Sequence, residues 1–360
     1  MTLPTTMKAM VTTGHGGLDK LVLHTDWPRP EAGPGQVLIR VGACGLNNTD
    51  INTRIGWYSK AVTGATTADA AQNADSEDPS WGGKAIAFPR IQGADVCGRI
   101  VAVGDGVDAA RIGERVIGDC WLRDPADLTD KRRTGYFGSE CDGGFAEYTV
   151  MPARNALAIR SDLSDAELAT FSCSYSTAEG MLTRAAVTDA DTVLVPGASG
   201  GVGGALVQLA KRRGARVIGL ASEAKHPEVR ALGADLVLPR APGNPRAALA
   251  GEAITVLADV VGGPAFPALL DLLERGGRYT CSGAIAGPMV SLDLRTLYLR
   301  DLTFTGSTVI DLTVMPALVR YIEQGAIRPV LAATFPLERL ADAQEAFAAK
   351  HHTGNIVVIP

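Results

Sequence analysis

The 360-residue sequence contains no pair of cysteines with CxxC spacing, although it has six cysteines in all. Such pairs are the usual ligands of a structural zinc ion, and even sets of closely spaced cysteines indicate a disulfide framework. The scattered cysteines therefore predict free thiols, which are typical of a reducing compartment such as the cytoplasm.

Long apolar runs and concentrated positive charge are missing as well. No stretch approaches the ~20 apolar residues that span a bilayer, and the first residues, MTLPTTMKAMVTTGHGG, have no apolar run behind a basic end. We therefore expect neither a membrane span nor a secretory signal. The net charge is −5 and the largest basic clusters are Lys131–Arg133 and Lys211–Arg213, so nucleic acid is not expected as a partner.

Glycine is in excess, with 41 residues grouped in short turns. The length predicts two domains at roughly 100–200 residues each. In residues 1–158, glycine and proline separate runs that resemble β-strands, at 36–45, 97–104, 114–119 and 146–152. From 159 to 308, strand-like and helix-like segments alternate, which predicts a parallel, doubly wound sheet of the Rossmann type. We expect residues 309–360 to return to the first domain.

The pattern of the second half also predicts individual elements. It predicts a helix over 264–274, followed by strands over 276–283 and 302–309. The remaining elements are a helix over 312–324, a strand over 330–335, a helix over 338–350 and a final strand.

One segment, residues 59–87, does not fit this alternation. Between Ala61 and Gly83 it has four acidic residues and no lysine or arginine, so its centre is too polar to be buried. Loops longer than ~12–15 residues are usually functional lids or disordered insertions, and the sequence leaves both open. We expect a long surface loop here.

The strongest signal of function is a glycine turn in VLVPGASGGVGGALVQLAKRRGARVIGL, residues 193–220. An apolar strand precedes the turn, an apolar helix follows it, and a second strand begins 13 residues beyond Gly203. A backbone without side chains approaches a pyrophosphate closely, and the N-terminus of a helix favours its negative charge. A turn used only for helix–strand packing is the alternative. The predicted dinucleotide ligands are Ser199, Gly200, Gly201, Val202 and Gly203.

The end of the second strand indicates which dinucleotide binds. NAD sites usually place an acidic residue there for the ribose 2′-hydroxyl, whereas this chain has Ala221 and Ser222, with Lys225 three residues later. A small hydroxyl residue and a cation suit a 2′-phosphate, so NADP(H) is predicted, with Ser222 and Lys225 as ligands. Glu223 would serve NAD if it turned inward, and Lys225 is alternatively an ordinary solvated helix residue.

The chain resembles the medium-chain dehydrogenase/reductase superfamily along nearly its whole length apart from 59–87. The motifs that carry the resemblance are GLNNTDINTRIGWY, QGADVCGRIVAVG, IGERVIG, GGFAEYTV, STAEGML, GASGGVG and ALGAD. The resemblance implies an α/β fold in which a β-rich, GroES-like catalytic domain is joined to a doubly wound Rossmann-like domain. Within the superfamily, the chain is similar to the zinc-free quinone oxidoreductase and enoyl reductase branch.

The resemblance also indicates that no metal is used. In the zinc members, a catalytic cysteine and a neighbouring histidine stand where this chain has Asn47 and Asn48, and their GHE motif is replaced by Gly93-Ala94-Asp95. Catalytic zinc needs three ligands of the Cys, His or Glu type, and asparagine and alanine supply none. We therefore predict no metal site; a zinc alcohol dehydrogenase with displaced ligands is the alternative.

Reduction of an alkene conjugated to a carbonyl needs no Lewis acid. Hydride reaches the β-carbon and charge collects on the carbonyl oxygen, so a hydrogen-bond donor and a proton source suffice. The candidate catalytic donors are Tyr58, Asn48 and Thr177. Tyr58 resembles, in its G-x-Y context, a tyrosine of mitochondrial-type enoyl thioester reductases, or else it packs at the base of the loop. Asp50 and Arg54, spaced i,i+4, are expected to form a structural ion pair on a helix.

Further positions are implied at the cofactor. Asn47 resembles the cofactor-side asparagine of quinone reductases, and Ser176 and Thr177 match a family position near the phosphate and nicotinamide. Ligands lie off the carboxyl ends of parallel strands, so two later strand ends are expected beside the nicotinamide, with Val260, Gly262, Ser282 and Gly283. Relatives commonly end in G-K-I-V, whereas this chain has Asn355 in place of that lysine.

The leading hypothesis is an NADPH-dependent, zinc-independent reductase of quinones or α,β-unsaturated carbonyl compounds, which are small-molecule substrates. A non-catalytic NADPH-binding protein of the same fold is the alternative from a different class. The β-rich segment LTFTGSTV, residues 302–309, is expected at a sheet edge, where unpaired backbone groups invite a partner. Relatives pair this strand between subunits, so a two-fold symmetric homodimer is predicted.

Overall fold

The computed structural model describes residues 3–66, 85–240, 245–249 and 251–360. Most of the loop predicted over 59–87 lies outside the described residues, and only its two ends belong to the structure. No helix in those four ranges is long and apolar enough to cross a membrane.

The first part of the chain is mostly β-structure, as predicted. Its elements are β1 (Thr6–Thr12), β2 (Leu21–Pro28), β3 (Gln36–Leu46), α1 (Asn48–Arg54), β4 (Arg90–Ile91), β5 (Asp95–Val103), β6 (Arg115–Gly118), β7 (Trp121–Leu122), β8 (Gly135–Tyr136), β9 (Tyr148–Pro152) and β10 (Ala156–Ala158). Strands β10, β6, β5 and β3 are neighbours in one antiparallel sheet, and β9 also pairs with β3. Strand β1 lies between β2 and β4 in a smaller sheet.

The middle of the chain forms the predicted parallel sheet. Its elements are α2 (Asp165–Leu168), α3 (Ser172–Arg184), β11 (Thr192–Pro196), α4 (Gly201–Arg212), β12 (Arg216–Ala221), α5 (His226–Ala231), β13 (Leu236–Pro239), α6 (Pro245–Ala248), β14 (Ile254–Asp259), α7 (Phe266–Leu270), β15 (Leu273–Cys281), α8 (Leu294–Leu299) and β16 (Thr303–Gly306). The strands lie in the order β13-β12-β11-β14-β15-β16, all parallel. This is a doubly wound order, with a crevice at the carboxyl ends between β11 and β14. The predicted α/β class is confirmed.

The last segment returns to the first sheet. Its elements are α9 (Val314–Glu323), β17 (Leu331–Pro336), α10 (Leu340–Ala349) and β18 (Asn355–Ile359). Strand β18 pairs antiparallel with β3, and β17 pairs parallel with β18. The chain just before β18 therefore passes the crevice of the parallel sheet.

Three elements differ from the prediction. The helix predicted over 264–274 ends at Leu270, because Leu273 is already in register with Ile254 of β14 and begins a strand. Tertiary pairing of this kind outweighs local propensity. The strand predicted over 302–309 covers only Thr303–Gly306, and helix α8 was not predicted because six residues are too few to show a period.

The parallel sheet and the returning segment are joined at Tyr175, one of the largest fully buried side chains. Its hydroxyl donates to the carbonyl oxygen of Arg328 at 2.6 Å and accepts from Nε2 of Gln208 at 2.7 Å. The backbone N–H of Arg328 donates to Oε1 of Gln208 at 2.9 Å. One buried hydroxyl thus connects α3, α4 and the segment that leads into β17.

Tyr175→Phe is expected to lower the free energy of unfolding by about 1–2 kcal/mol, because two buried hydrogen bonds are lost. Nε2 of Gln208 keeps only its longer contact to the Arg328 carbonyl, at 3.2 Å. Chemical denaturation measures the change. Tyr298→Phe is the matched control because Tyr298 is 62% exposed, and equal effects of the two substitutions would refute the role of Tyr175.

Candidate active site

A cavity of about 440 Å³ lies at the crevice of the parallel sheet, facing α1 and the N-terminal end of α3. Its position follows from the strand order, since ligands bind at the carboxyl ends where a doubly wound sheet reverses direction. Most residues that the sequence singled out line this cavity. They are Asn47, Asn48, Tyr58, Thr177, Ser199, Gly200, Gly201, Val202, Gly203, Lys225, Val260, Ser282 and Gly283.

Three of the predicted residues lie outside the cavity wall. Ser176 is buried and its hydroxyl donates to the carbonyl oxygen of Cys173 at 3.3 Å, within the same helix. Ser222 follows β12 directly but does not line the cavity. The backbone N–H of Gly262 donates to the Asp259 carboxylate at 3.1 Å, so this glycine shapes the loop behind Val260.

The glycine turn brings backbone amides to the cavity. Strand β11 ends at Pro196, Gly197 has a φ of +67°, and α4 begins at Gly201. A Cβ atom at Gly203 would overlap the carbonyl oxygen of Gly197, so only glycine allows the helix to pack this closely. The N–H groups and the dipole at the first turn of α4 favour an anionic ligand at this point.

Two buried carboxylates hold Asn47 at the junction of β3 and α1. Its backbone N–H donates to Oδ2 of Asp50 at 2.7 Å, and its Nδ2 donates to Oδ2 of Asp95 at 3.0 Å. The other oxygen of Asp95 accepts from the backbone N–H of Cys173 at 2.7 Å. Burial raises the pKa of Asp50 and of Asp95 to about 7, although these hydrogen bonds act in the opposite direction. The side chain of Asn47 is therefore fixed at the cavity wall.

The predicted ion pair between Asp50 and Arg54 is wrong. Asp50 accepts hydrogen bonds from backbone N–H groups, the nearest being that of Asn47. Arg54 instead donates to Oε1 of Gln344 at 3.0 Å and to the carbonyl oxygen of Gly16 at 2.6 Å. Both residues lie on one helix, but buried tertiary partners bind each of them, and Arg54 ties α1 to α10.

Tyr58 and Thr177 lie on the same side of the cavity as the Cys173 thiol. Burial raises the pKa of Tyr58 above its usual range, while hydrogen bonds with the side chains of Thr49 and Asn52 oppose this rise. Burial also raises the pKa of Cys173, and a hydrogen bond with Thr177 opposes it. Tyr58 is therefore a neutral phenol, able to donate a hydrogen bond, across the ordinary pH range.

Sequence reasoning missed Cys173 and most of the aromatic side chains of the cavity. Trp57, Trp121 and Tyr136 line it together with Tyr58, and we call these four residues the aromatic wall. The hydroxyl of Tyr136 donates to the Cys173 sulfur at 3.2 Å. Trp121 and Tyr136 belong to two-residue strands that no motif marks. Only the position of Cys173, directly before SYSTAEGML, was an available signal.

A group of three cations, Lys225, Arg240 and Lys350, also lines the cavity, and no carboxylate belongs to the described part of its wall. Lys350 has a left-handed backbone, with φ of +55°. Its Nζ donates to Oδ1 of Asn48 at 3.0 Å and lies 3.6 Å from the ring centre of Phe347. Burial, and secondarily the charge of Lys225, lower the pKa of Lys350 to about 7. This arrangement favours an anionic ligand.

Lys225 also makes hydrogen bonds within the protein. Its Nζ donates to the carbonyl oxygens of Lys350, at 2.7 Å, and of His352. These bonds hold the segment before β18 against the cavity, and burial lowers the pKa of Lys225. Glu223, the residue that would serve NAD, is exposed and does not line the cavity.

Asn355, which replaces the lysine common in relatives, offers a donor to a ligand. Its Oδ1 accepts from the hydroxyl of Ser174 at 3.1 Å. Its Nδ2 is buried without a hydrogen-bond partner, although the residue lines the cavity. A buried donor in this state is costly unless a ligand acceptor satisfies it, so the site fits a dinucleotide with its many oxygen atoms.

The residues around Asn47 do not fit a zinc ion. In the ranges that the structure covers, no three His, Cys, Asp or Glu side chains are grouped to hold a metal. Asp95 and Cys173 are of ligand type, but the Asp95 carboxylate already accepts from Asn47 and from the backbone of Cys173. Ala94, the neighbour of Asp95, supplies no ligand atom.

Comparisons with known proteins agree with this geometry. Residues 33–161 match the alcohol dehydrogenase GroES-like domain, and residues 201–324 match the zinc-binding dehydrogenase family. The chain is 29% identical to an acryloyl-coenzyme A reductase of Metallosphaera sedula, over 98% of this chain and 99% of the relative. It is 28% identical to a quinone oxidoreductase of Rattus norvegicus, over 94% and 93%.

A solved structure is more similar in sequence. The crystal structure of a putative alcohol dehydrogenase from Sinorhizobium meliloti is 46% identical to this chain. It covers 99% of this chain, which covers 98% of it, and the TM-score is 0.89. The whole chain, including the segment that returns to the first sheet, therefore has a counterpart in that protein.

Asp95→Asn is expected to flatten the dependence of stability on pH. The pKa of Asp95 is about 7 in the folded chain against a usual 3.8, so the folded state binds more protons between these values. The stability that protonated Asp95 contributes is fully present below pH 3.8 and is lost as the pH rises through about 7. Asparagine does not titrate, so this loss is absent in the variant.

Chemical denaturation at about pH 5 and about pH 8 measures this difference, since the two conditions span most of the titration. Asp105→Asn, at an exposed carboxylate, is the matched control and is expected to keep the slope of the parent chain. An Asp95→Asn variant that loses as much stability as the parent between the two conditions would show that Asp95 does not titrate between them.

Proposed function

The chain belongs to the medium-chain dehydrogenase/reductase superfamily, in its quinone oxidoreductase and enoyl reductase-like branch, and we propose that it uses NADPH to reduce α,β-unsaturated carbonyl compounds or quinones without zinc. As a member it is a nicotinamide-dependent oxidoreductase. The observation that carries the proposal is the composition of the cavity wall. It combines a glycine turn, three cations and a neutral phenol, with no carboxylate among its described residues.

The cofactor supplies the hydride, and the chain supplies its binding site. We propose that the amides of Ser199 to Gly203 bind the pyrophosphate and that Asn47, Thr177, Val260, Ser282 and Gly283 contact the nicotinamide half. The buried Nδ2 of Asn355 supports a ligand at this point because it is otherwise unsatisfied. The other three predicted residues then act from behind the wall: Ser176 within α3, and Ser222 and Gly262 in the loops after β12 and β14.

The preference for NADPH follows from charge. A 2′-phosphate adds negative charge, and the wall near the end of β12 carries Lys225 and Arg240 while Glu223 points away from it. Attraction between opposite charges is strong where water is partly excluded. Lys350, which Asn48 orients at 3.0 Å, adds a third cation for the phosphates. We therefore propose that Asn48 acts on the cofactor side through Lys350.

The protein groups for the chemical step are Tyr58 and Thr177. As hydride reaches the β-carbon of the substrate, negative charge develops on the carbonyl oxygen, and a hydrogen-bond donor there stabilises the transition state. The phenol of Tyr58 remains protonated because burial raises its pKa. It is therefore proposed as the hydrogen-bond donor and proton source, with the Thr177 hydroxyl beside it.

Two further properties are proposed. All six cysteines are free, which suits the cytoplasm, where thiols stay reduced. A homodimer is supported by β16, whose described pairing is with β15 alone. Large apolar side chains are exposed close to this edge in sequence: Met289, Val290, Leu294, Tyr298 and Leu299.

The proposed activity is tested by following NADPH oxidation with a quinone, an enone and an enoyl thioester after prolonged chelation of metals. Turnover of at least one of these acceptors is expected without added zinc. Cofactor binding without any turnover would favour a non-catalytic NADPH-binding protein. Activity that appears only with zinc and an alcohol or aldehyde would refute the proposal.

Arg240→Ala is expected to weaken NADPH binding about tenfold or more and to leave NADH binding nearly unchanged. Hydrogen bonds to charged groups contribute about 1.5–3 kcal/mol, which corresponds to a factor of about 10–100. Titration calorimetry with each nucleotide measures both affinities. Arg295→Ala, at an exposed arginine that pairs with Asp293, is the control. Equal weakening of NADPH and NADH binding by Arg240→Ala would contradict a role for Arg240 at the 2′-phosphate.

Tyr58→Phe is expected to lower kcat by about 100-fold or more, the usual contribution of a general acid or of a hydrogen bond to developing charge. NADPH affinity is expected to stay within about twofold, because the ring is retained. Steady-state kinetics and titration calorimetry give the two quantities, with Tyr298→Phe as control. An unchanged kcat would make Tyr58 a packing residue and assign the proton to Thr177 or water.

Light scattering is expected to show a dimer that Leu294→Asp converts to a monomer. The charge would be buried unpaired in the proposed interface, which is unfavourable. Leu294 is 63% exposed in the single chain, so the substitution does not disturb the core. Ile112→Asp, at another exposed apolar position, is expected to leave the dimer intact. A monomeric parent chain at micromolar concentration would exclude the homodimer.

A further inference from the structure

The aromatic wall consists of two rigid pairs of rings. The rings of Trp57 and Tyr58 are 5.6 Å apart and those of Trp121 and Tyr136 are 5.2 Å apart, both in a T-shaped arrangement. Trp57, Trp121 and Tyr136 are buried apart from the surface that they present to the cavity. With Phe347, which also lines the cavity, five aromatic side chains meet there, which is many for a chain with 5% aromatic residues.

Hydrogen bonds fix the rings of the wall. The indole N–H of Trp57 donates to the carbonyl oxygen of Gly64 at 3.1 Å, and the hydroxyl of Tyr136 donates to the Cys173 sulfur at 3.2 Å. The backbone N–H of Trp121 donates to Oδ1 of Asp119 at 3.0 Å, which fixes its backbone, and its ring packs against that of Tyr136. A wall that is fixed before the substrate binds loses little conformational entropy on binding, which favours affinity and selectivity.

The chain that follows Tyr58 crosses this end of the cavity. The backbone N–H of Thr66 donates to the carbonyl oxygen of Ile285 at 3.0 Å, and Ile285 itself lines the cavity. The cations of the wall lie elsewhere in the chain: Lys225 and Arg240 follow β12 and β13, and Lys350 precedes β18. The end of the cavity that the aromatic wall forms therefore offers aromatic surface. None of the described lining residues that come from the segments of this wall is a cation.

We propose that Trp57, Trp121 and Tyr136 select conjugated carbonyl compounds that carry an aromatic ring, over small aliphatic enones and coenzyme A thioesters. The inference rests on the proposed reduction of a conjugated acceptor. A planar substrate ring gains stacked or edge-to-face contacts with the wall beyond the burial of its area. A coenzyme A group carries several phosphates, and none of the residues of these aromatic segments that line the cavity is a cation. The proposed preference therefore differs from that of the acryloyl-coenzyme A reductase relative, whose name gives a coenzyme A thioester as its substrate.

The test compares kcat/KM for benzylideneacetone, pent-3-en-2-one and crotonyl-coenzyme A with saturating NADPH. The parent chain is expected to prefer benzylideneacetone over both others by about tenfold or more, the combined effect of two or more aromatic contacts. Trp121→Leu is expected to remove about tenfold of this preference, mainly through KM, whereas Trp121→Phe retains most of it. Trp27→Leu is the matched control, because Trp27 is half-buried on β2 and does not line the cavity.

A second measurement does not depend on turnover. The saturated product, benzylacetone, is titrated into the protein in the presence of NADP, and Trp121→Leu is expected to bind it about tenfold more weakly than Trp27→Leu does. Trp57→Leu is an independent variant if Trp121→Leu does not fold. Oxidation of NADPH without a preference for benzylideneacetone overturns this inference alone. The same holds if Trp121→Leu lowers kcat/KM equally for both enones. Oxidation of NADPH by a quinone but by none of the three acceptors overturns this inference alone, and no oxidation with these acceptors or with a quinone overturns the proposed function and this inference together.

Discussion

The hydrogen bond from the backbone N–H of Gly354 to the carbonyl oxygen of Ser199, at 2.9 Å, joins the C-terminal segment to the glycine turn, and the cavity depends on it. Gly354 has a φ of +86°, and a Cβ atom there would overlap the carbonyl oxygen of Val330, so the position requires glycine. The bond brings two residues from the end of the chain, Lys350 and Asn355, to a turn that lies about 150 positions earlier. The proposed dinucleotide site is thus formed between segments that lie far apart in the sequence.

Positive and negative side chains lie in different places around this junction. The cations Lys225, Arg240 and Lys350 stand on the cavity wall, while Asp50 and Asp95 are buried behind Asn47. Burial raises the pKa of both acids to about 7, so part of their negative charge is removed at neutral pH. The charge of Lys225 and Arg240 is therefore only partly cancelled from behind, while Lys350, whose pKa burial lowers to about 7, loses part of its own charge at the same pH. The same carboxylates hold Asn47 at the junction of β3 and α1.

Local patterns predicted the parts of the site that depend on local geometry. The strand–turn–helix around Gly203 needs only neighbouring residues, whereas Thr177 and Asn47 were predicted from the resemblance to the family. Other parts depend on tertiary contacts that periodicity does not contain. The spacing of Asp50 and Arg54 is helical, yet their distant partners are Gly93 for Asp50, and Gly16 and Gln344 for Arg54. Lys350 reaches Asn48 through a left-handed residue at a helix end, and Trp121 and Tyr136 belong to strands of two residues, too short for a pattern.

The central claim is that this cavity transfers hydride to the β-carbon of a conjugated carbonyl compound without metal. The most direct measurement uses protein that has been treated with a metal chelator and NADPH that is deuterated at C4 of the nicotinamide. It locates the deuterium in the product after reduction of benzylideneacetone. The account predicts a saturated ketone with deuterium at the β-carbon, identified by NMR. Deuterium on the carbonyl carbon, in an alcohol that forms only when zinc is added, would contradict it.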